Sequence, residues 1–277
     1  MPELPEVETV RRGLEALVVG STIIGSTLGS FPGIIGDLDH GHFSALTNGS
    51  LITGVDRRAK YLFIETNGPA ILQVHLRMTG RLLVTTTDAD PIRFQYLAIH
   101  LDGNRDLRYG DQRKFGRVTL IDRDGFTALS DRLGPEPLSR LMTARGLQLA
   151  LARRTGKIKS ALLDQAVVAG LGNIYVDEVL FRCRIHPERV PSTLTIEECT
   201  LLVREIRRVL KSAIAFQGTT FSTFENPYGE SGTNASQLRV YGKGGRDVPC
   251  VRCGTMIERI VVGGRGTSFC PTCQRLP

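Results

Sequence analysis

The chain has no apolar run approaching the length of a membrane span, and its first residues lack the pattern of a secretory leader. A transmembrane helix is therefore excluded on sequence grounds, and export is not expected. Internal repeats and low-complexity tracts are also missing, so solenoid, collagen-like and broadly disordered classes fall away. Cysteine is scarce over most of the length. Only Cys183 and Cys199 precede residue 250, each in an apolar, helical-looking segment where it reads as a small buried residue. The other four crowd residues 250–277. Without a leader, paired Cys-x-x-Cys motifs favour a metal over disulfides, and a cytoplasmic protein is expected.

What is present points to a globular, basic protein. The 277 residues are 41% hydrophobic, enough for one large core or, as read here, two. The formal charge of +7 and pI of about 9.3 suggest a polyanionic partner, most simply nucleic acid, with plain solubility as the alternative. Val7, Val10, Leu14 and Leu17 recur at spacings of three and four, which predicts a helix over 5–18 begun by Pro5. From about 20 to 122, short β-rich runs (61–65, 70–74, 81–85) alternate with turn signals at 67–69, 102–104 and Asp124-Gly125. This texture predicts an antiparallel sandwich with the first helix packed on it. Gly134-Pro135-Glu136-Pro137 reads as an interdomain linker. Residues 138–216 read as helical, most clearly 196–216, and 217–236 as a mobile loop.

Cys250-x-x-Cys253 and Cys270-x-x-Cys273, with residues 254–269 between them, are spaced as two knuckles that share one tetrahedral Zn2+. Residues 256–262 and 267–269 read as the strands of a zinc ribbon, with the turn 263–266 presenting Arg265 among glycines. Four thiolates close the coordination shell, so the metal is expected to be structural.

Five other places carry chemistry. Removal of Met1 would expose Pro2 as a terminal secondary amine, titrating at about 7.7–8.0, which can attack an aldehyde-like carbon and form a Schiff base. Glu3 would stand beside it as a proton carrier. The first six residues serve equally as a helix start whose acids favour the dipole. Gly170-Leu-Gly172-Asn173 precedes a helix, where Asn173 can cap it or bind a phosphate. The 57–61 cluster and the loops 75–80 and 111–116 set cations, Met78 and Phe115 at strand ends; each is either structural or a DNA contact.

Taken together, 1–9, the 57–61 cluster, both loops, Ile158-Lys159, 170–178, 185–187, 239–242 and the terminal ribbon resemble bacterial formamidopyrimidine-DNA glycosylase, of the larger group that includes endonuclease VIII. Leu4 favours this branch, since endonuclease VIII proteins typically carry glycine there. The resemblance implies an α+β multidomain fold. Its parts would be an N-terminal helix plus antiparallel β-sandwich over 1–134, a helix-two-turns-helix domain with a lesion-capping loop over 135–236, and a zinc finger over 237–277. It implies a monomeric enzyme of the bacterial cytoplasm, associated with the nucleoid. Its partner would be double-stranded DNA containing oxidised bases or abasic sites, from which it excises oxidised purines and cleaves the strand by β,δ-elimination.

By position, Pro2 is implied as the nucleophile, Glu3 as the proton carrier, Lys60 as the donor in β-elimination and Arg265 as the phosphate contact serving δ-elimination. Met78, Arg113 and Phe115 would fill the void left by the extruded nucleotide, and Lys159 and Asn173 would contact phosphates. Two stretches depart from the family pattern. Phe94 stands where many relatives have a DNA-contacting histidine, and 225–230 has an unfamiliar composition. Preference for oxidised pyrimidines, or a noncatalytic DNA-binding scaffold, are the rival readings.

Overall fold

A computed structural model describes residues 2–276. Met1, whose removal the Schiff-base reading requires, lies outside the described residues. α1 (Leu4–Val18) begins one residue before Pro5, which sits in its first turn, and Glu3 is its N-cap. The apolar stripe of this helix, Val7, Val10, Leu14 and Val18, is buried. β1 (Ile23–Leu28) and α2 (His40–Thr47), capped by Asp39, follow. Seven further strands come next: β2 (Ile52–Arg58), β3 (Tyr61–Thr66), β4 (Ile71–His75), β5 (Gly80–Thr86), β6 (Gln95–Leu101), β7 (Arg105–Asp111) and β8 (Arg117–Ile121). They form two four-stranded antiparallel sheets in the orders β1-β6-β7-β5 and β2-β3-β4-β8. Leu62, Ile64, Leu72 and Val74 of one sheet share a core with Leu97, Ile99, Leu107 and Tyr109 of the other and with the stripe of α1. The expected sandwich is present.

Asp124-Gly125 is not a turn. It lies in α3 (Arg123–Asp131), because the Asp122 carboxylate accepts the Gly125 N–H at 2.8 Å and starts a helix there.

By packing, the chain forms two compact units, 1–131 with 214–235, and 132–213 with 236–277. Residues 214–235, which the resemblance placed with the helical domain over 135–236, pack with the first unit. They are held by more bonds than a mobile loop requires. Thr219 N–H donates to Glu6 (2.7 Å), Val84 N–H to the Pro227 carbonyl (3.0 Å), and Arg81 pairs with Glu225 (2.9 Å). Phe224 enters the core, and the Asn226 side chain accepts the N–H groups of Tyr228 and Glu230, both at 3.0 Å. The unfamiliar 225–230 composition is thus an Asx-type turn docked on α1 and β5.

The second unit contains α4 (Ala144–Leu151), α5 (Ile158–Leu163), α6 (Asn173–Cys183), most of α7 (Ile196–Ala215) and the hairpin β9 (Glu258–Val262) and β10 (Arg265–Phe269). Gly134 and Pro135 are not a free linker: Gly134 N–H donates to Gln165 O, and Ala169 N–H to Pro135 O. A Cβ on Gly134 would lie 2.6 Å from the Ala166 carbonyl, so only glycine fits. The buried Glu178 carboxylate accepts the N–H groups of Arg239, Val240 and Tyr241, which fastens α6 to the chain entering the finger.

Candidate catalytic and nucleic-acid-binding residues

The sequence-selected residues divide between the units: Pro2, Glu3, Lys60, Met78, Arg113 and Phe115 in the first, Lys159, Asn173, Arg265 and the four cysteines in the second.

Pro2 and Glu3 are buried at the head of α1. Glu3 forms a reciprocal capping box with Glu6: its carboxylate accepts the Glu6 N–H, and Glu3 N–H donates to Glu6 Oε2 at 2.8 Å. The other Glu6 oxygen takes the Thr219 N–H, so Glu6 links the helix start to 214–235. Sequence reasoning passed over Glu6, although an acid three residues after an acidic N-cap is a readable capping signal.

Lys60 is buried in the two-residue connection between β2 and β3, where Arg58 pairs with Tyr61. The residue before it, Ala59, has φ +54°, an unusual value for alanine. Arg57 stabilises that turn by donating to the Ala59 carbonyl at 2.9 Å, and is itself anchored on Glu8 at 3.1 Å. Burial would raise the Glu8 carboxyl, but Arg11, Arg12 and Arg57 outweigh it and hold the group below the usual carboxylate range. Arg57 and Arg58 are therefore framework cations; Arg58 donates to Ser130.

His75 sits opposite Tyr61, edge to face at 4.5 Å. Burial, with Arg77 and Lys60 nearby, pushes its pKa down to about 3. Its Nδ1 accepts the Arg77 N–H at 3.0 Å, so Nε2 carries the proton and the ring is a neutral donor. Only the adjoining 75–80 motif hinted at this residue.

Asp111 joins the two candidate wedge loops. It accepts from Thr79 Oγ1, from Arg113 N–H at 3.1 Å and from Gly116 N–H at 2.7 Å. Beneath them lies Tyr109; a Cβ on Gly116 would come within 1.7 Å of its hydroxyl, which explains that glycine. Above this base Met78 and Phe115 are exposed. Arg113 reaches the Met78 sulfur at 2.8 Å and stacks over the Phe115 ring at 4.8 Å. Phe94 lies alongside at φ +59°, its carbonyl accepting the Asp111 N–H and its ring covered by Arg93.

In the second unit Arg265 is exposed, but it is the first residue of β10 and not part of the turn. Val262 pairs with Arg265, so the turn is Gly263-Gly264 alone, with φ of +56° and +73° as a two-residue hairpin demands. Asn173 does not cap α6, whose N-cap is Gly172; its amide donates to the Gly266 carbonyl at 3.0 Å. Lys159 is 0% exposed, with Nζ 2.6 Å from Asp177. Burial pushes the Asp177 carboxyl up to about 7 against the opposing pull of Lys159. A lysine in a helical motif carries no sign of burial in its sequence.

The sulfur atoms of Cys250, Cys253, Cys270 and Cys273 all lie within 4.8 Å of one another. Adjacent pairs stand 3.5–4.0 Å apart. A tetrahedron of Zn–S bonds near 2.3 Å requires about 3.8 Å, so the cluster fits one structural zinc. Arg252 N–H donates to Cys250 and Cys273 N–H to Cys270, both at 3.4 Å, as knuckles do.

Comparison with known proteins accounts for the whole arrangement. Residues 1–118 match the formamidopyrimidine-DNA glycosylase N-terminal domain, 133–225 the H2TH domain of the same protein, and 249–276 the zinc finger found in FPG and IleRS. The chain is 46% identical to the formamidopyrimidine-DNA glycosylase of Herpetosiphon aurantiacus, covering 99% of this chain and 100% of that one. For the Chloroflexus aurantiacus protein of the same name the identity is 44%, over 99% and 98%. Among solved structures, Lactococcus lactis Fpg with an abasic-site DNA superposes with a TM-score of 0.92 at 39% identity, covering 99% of both chains. The same protein with an oxidised-pyrimidine DNA gives 0.91 at 39% identity, over 99% of this chain and 100% of that one.

Proposed function

The chain belongs to the formamidopyrimidine-DNA glycosylase family, and we propose from that membership and its own residues that Pro2 is the nucleophile of a bifunctional glycosylase and lyase. The enzyme removes oxidised purines, such as 8-oxoguanine and formamidopyrimidines, from duplex DNA in base-excision repair. One structural zinc holds its finger. The observation that carries the assignment is the pairing of Pro2 with a buried Glu3 at the start of α1 in a full-length family match.

The steps follow from the chemistry of a secondary amine. Once Met1 is removed, the Pro2 lone pair attacks C1′ of an extruded nucleotide, and the glycosidic bond breaks with its electron pair leaving on the base. The C1′–O4′ bond then breaks with its electron pair on O4′, which takes a proton from Glu3, and the opened sugar is an iminium ion that acidifies the hydrogens on C2′. Loss of one such proton expels the 3′ phosphate, and a second elimination expels the 5′ phosphate. Glu3 carries protons at the sugar, Lys60 supplies one in the first elimination, and Arg265 steadies phosphate charge in the second. Met78, Arg113 and Phe115, fastened on Asp111, occupy the space that the extruded nucleotide vacates. The remaining basic groups supply salt-sensitive affinity that is largely indifferent to sequence.

No described helix is long and apolar enough to cross a membrane. A monomer acting at the DNA of the bacterial cytoplasm suits this reading.

Borohydride reduction with duplex 8-oxoguanine DNA tests it. A covalent protein–DNA adduct is expected from protein lacking Met1. Its absence would return the chain to a noncatalytic binding role, and faster trapping on thymine glycol would shift the substrate to oxidised pyrimidines.

A further inference from the structure

The strand that carries Arg265 is gripped from behind by charged groups that the reaction does not use. Lys159 on α5 directs Nζ to Asp177 Oδ1 (2.6 Å), Thr267 Oγ1 (2.8 Å) and the Gly266 carbonyl (3.1 Å). The first is an ion pair, and the other two are hydrogen bonds that the ammonium donates. Asp177 on α6 uses its other oxygen to accept the Ser268 N–H at 3.0 Å, and Asn173 donates a second bond to Gly266. Thr267 Oγ1 donates in turn to the Arg265 carbonyl at 3.0 Å. Each position from 265 to 268 is thereby tied down. The turn before them, Gly263-Gly264, has no side chains to fix it.

We propose that Lys159 and Asp177 form a buried clamp that positions Arg265, so that Lys159 acts through the hairpin and not by touching DNA. This rests on the reading of Arg265 as a phosphate contact. An ion pair so deeply buried adds little net stability, since desolvation offsets most of its attraction. It does supply direction. An apolar filler of the same volume could not hold the Gly266 carbonyl or the Ser268 N–H.

The two roles for Lys159 separate in a double-mutant cycle read from the salt dependence of binding to a duplex containing a tetrahydrofuran abasic analogue. Each phosphate contact adds about 0.9 to the slope of log affinity against log salt. Arg265→Ala should lower the slope by about one contact. Lys159→Met alone should lower it by up to the same amount, and should add nothing in the Arg265→Ala background. Thr267→Val, which removes a hydroxyl from the clamp but keeps both charges, should behave as Lys159→Met does; it carries the test if Lys159→Met loses zinc. On a natural abasic site, both variants should depress the second elimination about tenfold relative to the first, because a misplacement near 1 Å is enough to do so. Borohydride trapping should stay intact.

A further loss of about one contact from Lys159→Met in the Arg265→Ala background would make Lys159 a phosphate ligand and overturn the clamp. So would zinc-loaded Lys159→Met and Thr267→Val proteins with unchanged slopes and product ratios. If Arg265→Ala itself leaves the slope unchanged, the reading of Arg265 fails and the clamp's function fails with it. Trapping at Pro2 reports separately on the proposed function.

Discussion

The sandwich unit buries Val7, Leu14, Leu62, Ile64, Leu72, Leu97, Ile99 and Leu107 in one continuous core, contributed by a helix and two sheets. The finger, with Phe181 of α6, offers a cluster that also holds Val240, Cys250, Ile257 and Cys270, joined by a metal site and by α6 carboxylates that grip backbone N–H groups. Apolar area stabilises the first at about 25 cal/mol per Å². The second is too small for that to suffice, and bonds with direction replace it. Direction also suits the task proposed for it, which is to hold Arg265 at the start of β10.

The largest effect should come from the metal. Chelation of zinc, or Cys273→Ser, should unfold residues 258–269 and remove most DNA affinity while the sandwich stays folded, since structural zinc contributes on the order of 10 kcal/mol to such modules. Hydrogen exchange compared between β9–β10 and β3–β4 reads this directly. Equal exposure of both would mean that the contrast between the units is wrong.

Leu62→Ala is the reciprocal experiment. It empties a fully buried site and should cost the sandwich about 2–5 kcal/mol in denaturant unfolding, with zinc content unchanged. Loss of zinc in this variant would show that one unit depends on the other's core.

A smaller effect concerns pH. His75 has a folded pKa near 3 against an ordinary 6.5, so below pH 6.5 the unfolded chain binds the proton that the folded chain refuses. Stability from this group is full above 6.5 and is lost as pH falls toward 3, about 2 kcal/mol of it by pH 5. His75→Gln should flatten the acid limb of the sandwich's stability curve between pH 7 and 5. An unchanged slope would remove His75 as the cause.

Much of the fold was legible because its signals are local. The 3.6 period of α1, the two Cys-x-x-Cys pairs and the short β runs each declare themselves within a dozen residues. Met78, Arg113 and Phe115, singled out through the family resemblance, stand exposed at loop tips as read. What escaped depends on partners distant in sequence. Lys159 looks like any surface lysine until Asp177 and Thr267 enclose it, and Asp124-Gly125 looks like a turn until Asp122 caps a helix. Residues 217–236 read as mobile because glycine, serine and asparagine suggest it, yet Glu6, Val84 and Arg81 supply the bonds that hold them. Asp111 was read as part of a loop tip; its role as the joint between two loops depends on Thr79.

The central claim is that the terminal amine of Pro2 forms the covalent bond to DNA. Locating the borohydride-reduced adduct after nuclease and trypsin digestion tests it most directly. The remnant of the sugar should be found by mass spectrometry on the peptide from Pro2 to Arg11, at its first residue, and no adduct should form on protein that retains Met1. An adduct on Lys60 or any other lysine, or undiminished trapping by the Met1-retaining protein, would contradict the account.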